Sequence, residues 1–187
     1  YFMKLFSKIA TFIYQIISHF IAVGVVLLFF YPLAIWYLKV RPILGIDFFN
    51  TVSLVTILTK NLVLPPQAWL SSWFGGFPYV VQYPVLQFYA ILPFTLFMSV
   101  IDSTKVWMIV TSALSFAGMY FLFSRLSGSK LMGIVLSIGA IYSVGVYGAL
   151  LWGGGLPYYA TQAFYPWVLY LTVNFIKSGK RKFFWGA

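Results

Sequence analysis

Side-chain carboxylates are scarce in this chain, because only Asp47 and Asp102 carry one among its 187 residues. Asp47 follows a long apolar run and opens a stretch rich in proline and polar residues. A carboxylate there can serve as a general base for an acceptor hydroxyl or as a ligand of a divalent cation. The alternative is a helix cap, because Asp is a favoured N-cap and a helical apolar pattern begins at Phe48. Residue type and position leave both interpretations open.

A second group of candidate residues lies in an aromatic and glycine-rich stretch at residues 66–78, which reads PQAWLSSWFGGFP. Its paired glycines let the backbone turn sharply and approach a ligand, and its tryptophan faces can stack on sugar rings. The alternative is an aromatic belt that anchors the loop at the depth of lipid headgroups. The candidate contacts to a sugar or lipid phosphate in and just after this stretch are Trp69, Trp73, Gly75, Gly76 and Tyr83.

Missing residue types exclude several other chemistries. One histidine and no cysteine leave no paired haem ligands, no zinc site and no disulfide. The glycine-rich residues 151–159 lack both a Walker lysine and the GxGxxG spacing, so a nucleotide loop is not indicated. His19 and Gln15 lie one helical turn apart in the first apolar run. They predict either a proton or ligand site or a hydrogen bond between helices.

The composition indicates that lipid surrounds most of the chain. Apolar residues make up 62% of it and charged residues 7%, whereas soluble domains carry about 25% charged residues. The net charge of +10 comes from the scarcity of acids. The Lys and Arg residues flank the apolar runs, where cytoplasmic loops and anionic headgroups favour them, and this placement argues against nucleic acid as a partner.

The chain contains five apolar segments, at residues 11–38, 85–101, 106–123, 131–151 and 163–176. If all five crossed the bilayer, the C-terminal basic cluster would lie opposite Lys4 and Lys8, against the positive-inside rule. Placing the second segment at the outer interface, or as a re-entrant helix, removes the conflict. We therefore expect a multi-pass cell-membrane protein with both ends of the segment cytoplasmic.

The fold class expected is all-α and integral to the membrane. About four transmembrane helices, one interfacial or re-entrant helix and a large outer loop make up a single module over residues 1–187. The outer loop covers residues 39–84, and apolar spacing within it predicts an amphipathic helix over residues 48–64. The start at Tyr1 and the abrupt end at Ala187 suggest an N-terminal fragment of a longer chain.

The order of several short motifs resembles the C-type (GT-C) membrane glycosyltransferases. These motifs are Gly-Ile-Asp ending at Asp47, the tryptophan–glycine stretch, Gln-Tyr-Pro at 82–84, and Gly-Leu-Pro at 155–157. The chain looks closest to the membrane proteins described as 6-pyruvoyl-tetrahydropterin-synthase-related, from about residue 30 onwards. The resemblance implies transfer of a sugar from a polyprenyl-phosphate donor to an acceptor outside the cytoplasm. The catalytic acid of the first outer loop then falls on Asp47.

The same resemblance assigns supporting roles. Trp69, Trp73 and the paired glycines would shape the sugar or lipid-phosphate pocket, and Lys60 or Arg41 would neutralise the donor phosphate. Phe49 stands where the family has the second acid of an Asp-x-Asp pair, which weakens a metal-dependent mechanism and leaves a divalent cation as the one cofactor to consider. The alternative function is a non-catalytic structural or accessory subunit of a larger membrane complex, which the scarcity of ionisable groups favours.

Overall fold

The computed structural model describes residues 2–39, 46–60, 86–143 and 156–179, and the regular structure in these ranges is entirely helical. The helices are α1 (Phe2–Lys39), α2 (Ile46–Lys60), α3 (Leu86–Thr95), α4 (Val100–Ser127), α5 (Lys130–Ile141) and α6 (Leu156–Ser178). The all-α prediction is therefore confirmed for the described part of the chain. Among these helices, α1 and α4 are long and apolar enough to cross a membrane, with mean hydropathies of 2.2 and 1.7.

Two of the other predicted membrane segments form helices shorter than a full span. α3 has 10 residues and extends about 15 Å, half of a hydrocarbon core about 30 Å thick. A turn at Phe97 and Met98 then separates it from α4, so residues 85–101 do not form one continuous helix. α5 ends at Ile141 after 12 residues, whereas the sequence predicted a span over residues 131–151. That span is not confirmed, and residues 144–151 lie outside the described ranges.

Residues 1–33, 113–143 and 164–187 form one compact unit, which we call unit 1. Every fourth residue of α1 from Ala22 through Val26 to Phe30 is buried, which is the spacing of one helix face. The Phe30 ring packs against the ring of Phe116 in α4, with centroids 5.0 Å apart. α6 joins the same unit through the Trp167 indole, whose Nε1–H donates to the Leu114 carbonyl at 3.0 Å.

The turn between α4 and α5 follows from its small polar residues. Gly128 has φ 70°, a left-handed conformation in which a Cβ would be strained. Ser129 then caps α5, and its side chain accepts a hydrogen bond from the Met132 amide. Beyond the turn, Gly133 of α5 packs so closely on Ser124 of α4 that an added Cβ would collide with the Ser124 hydroxyl. The glycine thus permits the close approach of the two helices.

Residues 34–112 and 144–163 form the second compact unit, unit 2. α2 packs against α3, and both contribute large apolar side chains to the core. In the same unit the Tyr37 hydroxyl at the end of α1 donates to the Met108 sulfur of α4 at 2.9 Å. The buried apolar residues of α2 and α3 are Phe48, Leu54, Val55, Leu58, Phe88 and Ile91.

The close packing of α5 on α4 predicts different outcomes for two glycines of one helix. Gly133→Ala should lower the free energy of unfolding by about 1–3 kcal/mol, the usual cost of overpacking. Gly139→Ala, whose Cβ would meet nothing within 4 Å, should leave it unchanged or raise it by up to about 1 kcal/mol through helix propensity. Denaturant unfolding of the purified variants measures both. Equal stabilisation by the two changes would contradict the packing described.

Candidate functional site

Asp47 lies in the first turn of α2, which begins at Ile46. The residue is therefore inside the helix and not at the capping position before it, although the helix dipole still favours a carboxylate there. Lys60 is the last residue of α2 and is exposed. At about 1.5 Å per residue, α2 holds positions 47 and 60 about 20 Å apart along its axis. The helix thus does not bring Lys60 to the carboxylate.

The other predicted contacts belong to segments that lie outside the described residues. They are Arg41, Trp69, Trp73, Gly75, Gly76 and Tyr83. Their assignment to a sugar or lipid-phosphate pocket therefore stays a prediction. Both ends of the segment that carries five of them are attached to unit 2, because α2 precedes it and α3 follows it.

Lys105 is a buried ionisable residue of unit 2 that was not among the predicted site residues. Its side chain is 1% exposed in the second turn of α4, and its Nζ donates to the Leu38 carbonyl at 3.2 Å. Leu38 is among the last four residues of α1, whose carbonyls lack partners within their own helix. Burial of an ammonium costs several kcal/mol unless hydrogen bonds or opposite charge compensate it. The hydrogen bond of Lys105 therefore ties α4 to the end of α1 within unit 2.

Gln87 in α3 is a buried amide without compensation. The residue is 6% exposed, and neither its Nε2 nor its Oε1 has a hydrogen-bond partner among the described residues. The Tyr89 hydroxyl and the Trp107 indole N–H, also in unit 2, are buried and unbonded there too. Burial raises the pKa of the Tyr89 hydroxyl, so this group is a neutral donor at physiological pH. Most buried polar side-chain atoms find partners, and exceptions often mark binding sites.

Asp102 has a structural role at the start of α4. The Ser99 hydroxyl accepts from the Asp102 amide at 3.1 Å and donates to the Asp102 carboxylate at 2.7 Å. This arrangement is related to a capping box, in which a hydroxyl before the helix and an acid three residues later satisfy the first amides. Asp102 lies inside the first turn of α4, so its carboxylate is engaged in the start of the helix.

His19 proves to be part of a contact between helices within unit 1. Its Nδ1 shares a hydrogen bond of 2.7 Å with the Tyr120 hydroxyl of α4, and its ring packs on Phe121 with centroids 5.4 Å apart. Gln15, by contrast, is exposed. Of the two sequence interpretations, the hydrogen bond between helices is confirmed for His19.

Sequence reasoning missed Lys105 and Gln87 for different reasons. A cation beside an apolar run normally reaches water or headgroups, so the sequence pattern gives no sign that Lys105 is buried. Its partner is a backbone carbonyl, which no residue pattern signals. Gln87 lies next to the Gln82-Tyr83-Pro84 motif but was counted as part of an apolar segment. No group of three His, Asp or Glu side chains suited to a metal occurs among the described residues.

The buried amide of Gln87 leads to a prediction about the stability of the protein. Gln87→Met keeps the size of the side chain and removes an uncompensated polar group, so the free energy of unfolding should rise by about 1–3 kcal/mol. Gln15→Met makes the same chemical change at an exposed position and should alter stability by less than about 0.5 kcal/mol. Thermal unfolding of both variants provides the comparison. A loss of stability in Gln87→Met would mean that the amide is already satisfied in the folded protein.

Comparisons of the chain with models of protein families, with curated proteins and with solved structures gave no match. The resemblance to GT-C glycosyltransferases therefore depends on the short motifs given above. The function must be argued from the residues of unit 2.

Proposed function

We propose that this chain is a membrane-embedded module of a glycosyltransferase that moves a sugar from a polyprenyl-phosphate donor to an acceptor at the outer membrane face. Unit 2 holds the site, because it contains both carboxylates of the chain. It also contains the buried side chain of Lys105 and the amide of Gln87, which is unbonded in the part of the chain that the structure describes. A base, a cation and a hydrogen-bonding amide are the groups that such a transfer needs.

Gln87 is the observation that carries the proposal. Its amide is buried and has no partner within the described ranges, and a ligand that supplied the missing bonds would account for such a group. An amide offers two N–H donors and a carbonyl acceptor, which suits the hydroxyls of a sugar ring. The apolar composition of α3 around it offers no competing polar role.

In the proposed step Asp47 accepts the proton of the acceptor hydroxyl as its oxygen attacks the anomeric carbon of the donor sugar. The bond from that carbon to the phosphate oxygen breaks, and polyprenyl phosphate leaves with the electron pair. A nearby cation stabilises the charge that develops on the leaving phosphate. The cations of unit 2 that are candidates for this role are Arg41, Lys60 and Lys105.

The proposal includes the topology expected from the distribution of charge. α1 and α4 are two of about four spans, α3 lies at the outer interface or re-enters, and the α4–α5 turn is cytoplasmic. The short length of α3 and its separation from α4 support the interfacial position, since about 15 Å of helix cannot cross a hydrocarbon core.

A second function, that of a non-catalytic subunit in a larger membrane complex, is favoured by two contacts. Lys105 satisfies a helix end at Leu38, and Asp102 completes a cap with Ser99. Both ionisable side chains thus have a structural role. Under this reading Asp47 stabilises the start of α2 and takes no part in chemistry.

Exchange of the two carboxylates distinguishes the two functions. In the full-length protein, Asp47→Asn removes the charge and basicity but keeps the size, so sugar transfer should fall by about two orders of magnitude or more, as expected for a lost general base. Asp102→Asn is the matched control, because it makes the same change in a residue of the helix cap. It should leave transfer within about threefold of the wild type, since caps affect stability by about 1 kcal/mol. Equal transfer by all three proteins would support the accessory subunit.

A further inference from the structure

Three cations of unit 1 meet at the turn between α4 and α5. Arg125 lies in the last turn of α4, Lys130 is the first residue of α5, and Lys177 lies in the last turn of α6. The Lys177 Nζ donates to the Arg125 carbonyl at 3.2 Å, and the Lys130 Nζ donates to the hydroxyl of Ser18 in α1. These two hydrogen bonds position the ammonium groups of Lys130 and Lys177. We call Arg125, Lys130 and Lys177 the turn cluster.

The turn cluster has no counter-ion within its own unit. All three side chains are exposed, and residues 1–33, 113–143 and 164–187 contain neither Asp nor Glu. The hydrogen bonds of Lys130 and Lys177 go to a neutral hydroxyl and a neutral carbonyl, so they position the ammonium groups without neutralising them. Like charges held close together repel one another. An external anion is therefore the partner that the cluster requires.

The surroundings of the cluster identify the kind of anion. Each cation has a large, exposed apolar neighbour in the sequence: Leu126 is 55% exposed, Leu131 68% and Ile176 74%. A nucleic acid or an acidic peptide would leave these side chains in water, whereas a lipid covers them with its acyl chains. Alternation of cations with exposed apolar residues is typical of the boundary between headgroups and hydrocarbon.

We propose that the turn cluster binds the headgroup phosphate of an anionic phospholipid in the cytoplasmic leaflet. This inference rests on the membrane placement proposed above and is independent of glycosyl transfer. The guanidinium of Arg125 can bind two phosphate oxygens through its planar fork, and the two ammonium groups act as point charges beside it. The exposed leucines and the isoleucine then contact the acyl chains.

Binding of matched lipids to variants of the purified protein tests the proposal. In micelles of neutral detergent, native mass spectrometry measures the affinity for phosphatidylglycerol and for phosphatidylcholine with the same acyl chains. Each cation near an anionic surface contributes about fivefold in affinity. Lys130→Gln, which keeps a donor for Ser18, should therefore weaken phosphatidylglycerol binding about fivefold. The double variant Lys130→Gln/Lys177→Gln should weaken it about 25-fold, and affinity for phosphatidylcholine should not change.

Lys8→Gln is the matched control, because Lys8 is an exposed cation of the same unit. It lies on α1 ten residues before Ser18, about 15 Å along the axis, beyond the screening length of about 8 Å at physiological salt. Its affinity for phosphatidylglycerol should stay within about twofold of the wild type. An equal loss in Lys8→Gln and Lys130→Gln, or equal binding of both lipids by the wild type, would overturn the proposal.

Failure of this inference can be told apart from failure of the membrane placement. A chain that is integrated in the bilayer, and resists extraction by alkaline carbonate, but does not discriminate between the two lipids, would refute the turn cluster alone. A chain that alkaline carbonate releases from the membrane would refute the placement on which the inference rests.

Discussion

Hydrogen bonds from lysine side chains to carbonyls near helix ends connect the helices within both units of this structure. The chain has twelve Lys and Arg residues and two carboxylates, so ion pairs cannot satisfy most of its positive charge. Lys105 bonds the Leu38 carbonyl near the end of α1, and Lys177 bonds the Arg125 carbonyl near the end of α4. The last four carbonyls of a helix have no partner in their own helix and carry its negative dipole end. Each bond therefore satisfies both an ammonium and a helix end.

Both carboxylates lie at the starts of helices, and both belong to the same compact unit. Asp102 lies in the first turn of α4, and Asp47 lies in the first turn of α2, where the positive dipole end favours them. Both belong to unit 2, so unit 1 carries cations without any acidic side chain. The proposed chemistry is assigned to unit 2, and the proposed lipid contact is assigned to unit 1. Such a division suits a chain in which one part handles substrate and another anchors to lipid.

Much of the fold could be predicted from apolar patterning alone. The long runs that became α1 and α4 were evident, and α2 begins two residues before the predicted helix at Phe48. The length of the helix that begins at Lys130 was overestimated, because the apolar composition continues beyond Ile141. The helix ends at Ile141, and a turn follows at Tyr142 and Ser143. The burial of Lys105 was not predictable, since its partner is a backbone carbonyl that becomes available only when α1 ends beside α4. The assignment of Lys60 or Arg41 to the donor phosphate stays a prediction, because α2 fixes only the separation of about 20 Å between positions 47 and 60.

We propose that the chain crosses the membrane with the Asp47 segment on the outer side. The turn cluster and the basic residues at 177–182 then lie on the cytoplasmic side. The chain contains no cysteine, so single cysteines can report accessibility to a membrane-impermeant thiol reagent. Ser72→Cys should be labelled in intact cells, whereas Lys180→Cys should be labelled only after permeabilisation. Labelling of position 180 from outside while position 72 stays protected would contradict the topology, and with it the placement of the proposed site.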